Sequence, residues 1–241
     1  MGLRFMALAI LLSSLSTHAY LPNIPMHAAR LNGYVLHSRP SATNKLDVFL
    51  GPFCEDSRRA FSSLKSLSMK EKRIEVRAHL FPLPYNTGSF FAAQTCVAAG
   101  VVSSNKSVVP RCLELLYTGE TQKKLKTNAL ENYTSPELIQ ELVELISSSL
   151  SLDKNALSQQ MVQGLEGGAS SYTLTKSDYK YGTSMGVFST PSVFLNGVQI
   201  FGYDAQGAKK GTDHAEGQLA SMACQDWERF LAPVLESRFE V

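Results

Sequence analysis

The sequence predicts an α/β domain in which a strand-helix-strand unit comes first, a long helical stretch follows, and a β-hairpin with a final helix closes the chain. Three observations carry this. The apolar run Leu46-Asp47-Val48-Phe49-Leu50 leads into Cys54-Glu55-Asp56-Ser57, where helical spacing of apolar residues begins. Ile74-Glu75-Val76-Arg77-Ala78-His79-Leu80 alternates apolar with polar, as a strand does. Far downstream, Ser189-Thr190-Pro191-Ser192-Val193-Phe194-Leu195-Asn196-Gly197 sets a proline directly before a strand that ends in an Asn-Gly hairpin turn.

In chain order, Tyr34-Val35-Leu36 and Leu46 to Leu50 are strand candidates, the second a continuous apolar-rich run of the kind found in buried parallel strands. Ala60, Phe61, Leu64 and Leu67 then define the buried face of the first helix. The connection it makes to the strand at Ile74 should be right-handed. From Asn86 to about Val187 the pattern is helical. Ser135-Pro136-Glu137 reads as a helix start, with a capping hydroxyl, a proline at the first position and an acid in the first turn. Leu138, Leu142 and Leu145 follow on one face, flanked by Ile139, Val143 and Ile146. Gly167-Gly168 should break the run, and Tyr172, Leu174, Tyr179 and Tyr181 are read as packing or groove-lining residues. The sheet resumes at Ser192 to Leu195 and returns through Val198 to Phe201 as an antiparallel strand. A polar loop from Asp204 to Gly217 precedes a last helix carrying Trp227, Phe230, Leu231 and Leu235.

The chemistry concentrates at Cys54. A thiol at a strand-to-helix turn lies against the partly positive end of the helix, which favours thiolate over thiol. Glu55 and Asp56 act against that, so the expected nucleophile is a moderate one. A Cys-x-x-Ser motif is weak evidence alone, and so is a Thr-Pro before a strand. Occurring together in this order, they read as thioredoxin-like, a fold that brings the cysteine turn and a cis-proline turn to one end of the sheet. The Thr190–Pro191 bond is therefore expected to be cis and to face Cys54.

The chain also resembles the DsbA-like branch of the thioredoxin superfamily, and within it a eukaryotic secretory group. The resemblance rests on Phe49-Leu50-Gly51-Pro52-Phe53-Cys54, Asp56-Ser57-Arg58, Phe81-Pro82-Leu83-Pro84-Tyr85, and Gly186-Val187 ahead of Thr190-Pro191. It implies a thioredoxin core in two parts, residues 20–85 and 188–241, interrupted by a helical insertion over 86–187. It further implies that Cys54 and Ser57 are the catalytic pair of positions and that Phe53, Thr190 and Pro191 face substrate. DsbA proper has a second cysteine where Ser57 stands. Serine can hydrogen-bond a thiolate but cannot displace a substrate held on Cys54 as a mixed disulfide. The implied activity is thus thiol–disulfide exchange of monothiol type, with thiol- or disulfide-bearing proteins or glutathione as partners and a weaker oxidising power than the two-cysteine proteins. Two other readings compete: a glutathione-dependent transferase or isomerase of kappa-like type, and a catalytically silent module that holds extended peptides by backbone pairing.

Four cysteines in an oxidising compartment favour pairing, and three connectivities exist. Cys96 and Cys112 fall on neighbouring candidate helices separated by a short polar loop, which favours a structural bridge between them. Cys224, near the start of the last helix, stays open between a buried free thiol and a resolving partner of Cys54, because that helix is expected to begin at the Cys54 end of the sheet. Neither a metal-ligand set nor a resident cofactor is read from the sequence; glutathione enters only as a co-substrate. With 23 basic against 21 acidic residues, nucleic-acid binding has no electrostatic support. A hydrophobic fraction of 44% argues for a packed core rather than disorder.

Arg4 precedes the apolar run Phe5 to Leu15, and Thr17-His18-Ala19 supplies small residues at the outer positions of a cleavage site, so residues 1–19 read as a secretory signal. No later run reaches the ~18 apolar residues of a membrane span. Asn105-Lys106-Ser107 and Asn132-Tyr133-Thr134 become glycosylation sites on that route, which leads to the endoplasmic reticulum lumen or outside the cell. The expected mature protein starts at Tyr20 and carries glycan at Asn105 and Asn132. Amino-terminal sequencing and glycosidase digestion of the expressed protein check this; an intact Met1 on an unglycosylated cytosolic product refutes it.

Overall fold

Strand β2 (Asn44–Leu50) is the spine of the molecule, whose computed structural model describes residues 33–125, 133–161, 170–200 and 222–236. It pairs in parallel with β3 (Ile74–Leu80), from Asn44 opposite Ile74 to Leu50 opposite Leu80. On its other side it pairs antiparallel with β4 (Ser192–Leu195), Phe49 opposite Ser192. Short antiparallel strands β1 (Tyr34–Val35) and β5 (Val198–Ile200) complete a five-stranded sheet of order β1-β3-β2-β4-β5. Helix α1 (Glu55–Lys70) joins β2 to β3. Between β3 and β4 lie α2 (Ser89–Val102), α3 (Val108–Leu116), α4 (Gly119–Leu125), α5 (Ser135–Leu150), α6 (Lys154–Gln160) and α7 (Ser170–Ser184); α8 (Cys224–Glu236) follows the hairpin. Residues 1–19, Gly167-Gly168, Phe201 and the loop from Asp204 to Gly217 lie outside the described residues.

Alternation along the strands sorts side chains into two cores. Leu46, Val48 and Leu50 of β2, with Ile74, Val76, Ala78 and Leu80 of β3, belong to the larger core, which also takes Ala60, Phe61, Leu64 and Leu67 of α1 and Trp227 and Leu231 of α8. Burying each such leucine contributes about 2 kcal/mol. Trp227 Nε1 donates to Ser63 Oγ at 3.3 Å, so the indole is satisfied where α8 crosses α1. The same core continues into the helical block, where α2 packs on α3, α5, α6 and α7. Helix α2 is apolar over most of its circumference, as a helix surrounded by others must be. Cys96 of α2 and Cys112 of α3 are joined by a disulfide with Cα atoms 5.2 Å apart.

Helix α5 starts one residue earlier than Ser135-Pro136-Glu137 suggests. Thr134 is the cap: Glu137 N donates to its hydroxyl, and the Glu137 carboxylate accepts from Thr134 N in return. The reciprocal box needs hydroxyl and acid three positions apart, which Thr134 and Glu137 satisfy and Ser135 does not.

The opposite face of the sheet is covered by α7 and is only partly apolar. Phe49, Phe81, Leu83, Val187 and Phe194 form the smaller core, against which Tyr179, Tyr181 and Met185 pack. Gly182 makes the close approach possible, since a Cβ there would lie 2.5 Å from the Phe81 ring. The polar residues that alternate along β3 also turn to this side. Glu75 and Arg77 pair with each other at 2.7 Å. His79 is fully buried, stacked on Phe49 at 4.7 Å, with Nε2 3.1 Å from Asp47 Oδ1 and Nδ1 3.5 Å from Asp178 Oδ1. The Asp178 contact is ionic in character rather than a short hydrogen bond, and the same carboxylate accepts from Leu80 N at 3.3 Å.

Burial by itself would lower the His79 pKa, but the close carboxylates of Asp178 and Asp47 outweigh it and raise the group from 6.5 to about 9. A group raised on folding stabilises the native state fully below its unfolded pKa and loses that contribution as pH rises through the folded one. Stability should therefore decline between about pH 6.5 and 9, by on the order of 3 kcal/mol, and His79→Gln should flatten the decline. Urea midpoints of both proteins across this range check the expectation.

Candidate active site

Parallel pairing of β2 with β3 and antiparallel pairing of β2 with β4 place three loops at one end of the sheet. They are the Gly51–Cys54 turn after β2, the Pro82–Tyr85 segment after β3, and Phe188–Pro191 before β4. Cys54 caps α1 with extended backbone (φ −88°, ψ 123°), and its carbonyl accepts the first helical bond from Arg58 N at 3.0 Å. Its side chain is half-buried and does not cap the helix. The thiol instead donates to Thr190 O at 3.2 Å, and the Thr190–Pro191 bond is cis. The two motifs therefore form one site.

The charges around the thiol differ from expectation. Glu55 is paired with Arg58, which reaches it through Nε at 3.1 Å and through Nη2, and Asp56 is paired with Arg59. Each acid expected to act on Cys54 as a free charge is thus compensated by an arginine one turn along the helix.

Gly51 is the hub of the turn. Its N–H donates to Ser57 Oγ at 3.0 Å, and its carbonyl accepts from Cys54 N at 3.1 Å and from the Tyr117 hydroxyl at 2.9 Å. Gln122 Nε2 donates to the neighbouring Pro52 O at 3.3 Å. Tyr117 caps the end of α3 and Gln122 lies in α4, so both bonds come from the helical block. Burial pushes the Tyr117 hydroxyl well above its ordinary value, a Cys54 charge adds to this, and Ser57 opposes it. Tyr117 therefore stays protonated and donates.

Ser57 is fully buried with its hydroxyl turned to Gly51. Thr190 and Pro191 are buried too, Thr190 meeting the thiol through its backbone carbonyl. Phe53, expected to face substrate, is 6% exposed and sits in the larger core, where its ring anchors the turn from inside. Cys224 is also displaced from its expected place. It is a free thiol that donates to Glu228 Oε1 at 3.7 Å and feels the Lys70 ammonium in the last turn of α1. Burial, then Glu228, pushes it up from its ordinary value. Since α1 runs 16 residues, about 24 Å, from the Cys54 end to the Lys70 end, the structure does not bring the two thiols together.

Asn105 is exposed between α2 and α3, where its Oδ1 accepts from the Ser107 amide and hydroxyl; Asn132 lies outside the described residues. Two exposed aromatic residues at this end of the sheet carry no role of their own in the sequence reading. Phe188 is 71% exposed and Tyr85 65% exposed. Their signal was an aromatic lodged in turn-forming sequence, Phe188 before Ser189-Thr190-Pro191 and Tyr85 after Pro82-Leu83-Pro84.

No protein-family model and no curated protein matches the chain. Solved structures do. A thioredoxin-like oxidoreductase from Silicibacter pomeroyi superposes with TM-score 0.57 at 15% identity, covering 88% of this chain and 99% of that one. The oxidoreductase DsbA from Xylella fastidiosa gives 0.54 at 12%, covering 86% and 94%. MdbA, a thiol-disulfide oxidoreductase from Corynebacterium diphtheriae, gives 0.51 at 14%, covering 78% and 88%. The fold is the DsbA-like thioredoxin fold. In these terms, α2 to α7 occupy the place of the DsbA-like helical insertion, and the thiol turn and the cis-proline turn meet at one end of the sheet.

Within this DsbA-like frame Gly51 has no room for a side chain. A Cβ would lie 2.9 Å from Thr190 Oγ1 and 3.0 Å from Cys54 Cβ. Gly51→Ala should therefore destabilise the protein by about 1–3 kcal/mol and part the Cys54 turn from the Thr190 turn. Urea denaturation gives the first and a crystal structure of the variant the second; an unchanged midpoint with the Cys54–Thr190 bond intact contradicts it.

Proposed function

We propose that the chain is a thiol–disulfide exchange protein of monothiol type, acting on thiols or disulfides of the secretory pathway through mixed disulfides at Cys54. The observation that carries this reading is a half-buried thiol at a helix cap, 3.2 Å from the Thr190 carbonyl, with a serine in place of a second thiol. The Cys54 thiolate attacks one sulfur of a disulfide, a new S–S bond forms, the old one breaks, and the departing thiolate takes up a proton. Release needs a second thiolate from outside, and glutathione fits that part. Cys224 lies toward the far end of α1 and is given no role in it.

The buried Cys96–Cys112 disulfide and the exposed Asn105 sequon support an oxidising, lumenal or extracellular setting. The exposed rings of Phe188 and Tyr85 supply apolar contact for a peptide passing the thiol. They also favour a second reading, a peptide-binding module without turnover, in which binding survives Cys54→Ser.

The exchange reading is tested by incubating the protein with oxidised glutathione or a peptide disulfide at neutral pH and following adducts by mass spectrometry without reduction. Wild type should retain a mixed disulfide on Cys54, Cys54→Ser should form none, Ser57→Cys should shorten its lifetime, and Cys224→Ser should leave it unchanged. A wild-type protein with a free Cys54 that forms no adduct refutes the exchange reading.

A further inference from the structure

We infer that Tyr117 is a positioning residue for Cys54: its hydroxyl, bonded to the Gly51 carbonyl, lets the helical insertion hold the thiol turn against the Thr190–Pro191 turn. The inference deepens the exchange reading and rests on it for its functional meaning.

The geometry leaves few other ways to hold this turn. The Cys54 side chain does not cap its own helix. The turn is instead held from inside by Ser57 Oγ on Gly51 N, and from outside by Tyr117 Oη on Gly51 O and Gln122 Nε2 on Pro52 O, at 3.0, 2.9 and 3.3 Å. Only Ser57 is local in sequence. Tyr117 lies 66 positions from Gly51, its ring 5.3 Å from Phe61 of α1, and it is buried. Without the hydroxyl, the Gly51 carbonyl keeps one donor, the Cys54 amide, and the turn gains freedom to move away from Thr190.

A looser turn has opposite effects on two reactions of the same sulfur. A small reagent that needs only access to the thiol gains. A peptide disulfide, which must be aligned beside Thr190 and Pro191 as it is attacked, loses. General destabilisation opens the site to both and moves the two rates the same way.

The experiment uses full-length protein in wild-type, Tyr117→Phe and Phe61→Leu forms. Alkylation of the Cys54 peptide by iodoacetamide and mixed-disulfide formation with a peptide disulfide are each timed by mass spectrometry, with circular dichroism to confirm folding. Tyr117→Phe should alkylate about fivefold faster and exchange about fivefold slower, the scale expected for one buried hydrogen bond. Phe61→Leu, which loosens packing on the Tyr117 ring but keeps the hydroxyl, should not produce that split. An unchanged alkylation rate in Tyr117→Phe, a change of both rates in one direction, or the same split in Phe61→Leu overturns the inference. If wild type alkylates but never exchanges, the exchange reading fails while the alkylation comparison still decides the positioning role.

Discussion

Everything at the reactive end of this molecule depends on how closely the backbone at Gly51 approaches the turn before β4. Cys54 Cβ and Thr190 Oγ1 occupy the space that a Gly51 side chain would need. The amide and carbonyl of that residue both help fix the turn, alongside the neighbouring Pro52 carbonyl. The arrangement moves the work of orienting a thiol from side chains to backbone. The two acids and two arginines in the first turn of α1 pair with one another.

The sheet beneath divides its labour between two faces. One is dry, packed with branched aliphatic side chains under α1 and α8, and sets the position of β2 and β3. The other is an aromatic layer with a protonatable imidazole held between carboxylates from β2 and α7. An ion cluster of this kind is a poor source of net stability compared with apolar packing; the register of α7 on the strands sets Asp178 against His79 and Leu80 of β3. Since α7 leads into the Phe188–Pro191 loop, that register bears on where the loop arrives.

How much of this was legible in sequence depends on how local the determining contacts are. Strands β2, β3 and β4, helix α1 and the hairpin at Asn196-Gly197 announce themselves through period and turn chemistry, which act over a few residues. The site was legible in its two ends, Cys54 and Thr190-Pro191, for the same reason. Its interior was not. Nothing in the spacing of Phe53 says whether its ring points to the core or to a ligand, because apolar residues serve both purposes. Tyr117 reads as one more aromatic at the end of a helix, since its partner is a carbonyl in another element. Cys224 was misplaced because the start of a helix does not reveal which end of a neighbouring helix it lies beside, and the chain leading into α8 carries no periodic signal. Thr134 was passed over for Ser135 although the acid three residues on was in view, a case where the information was local and simply weighed less than the proline.

The bridge between α2 and α3 has a consequence of a different kind. Cys96 and Cys112 have no solvent exposure, whereas Cys54 is partly open. Thiolates reach a disulfide sulfur only along a clear line of approach, so burial divides the chain's own sulfur chemistry into two kinetic compartments. In the exchange reading the protein can meet reducing and oxidising partners at one end without consuming the brace that ties α3, and with it the residue at its tip, to the rest of the helical block. Reagents that reach the partly open thiol find the buried bridge behind it out of reach.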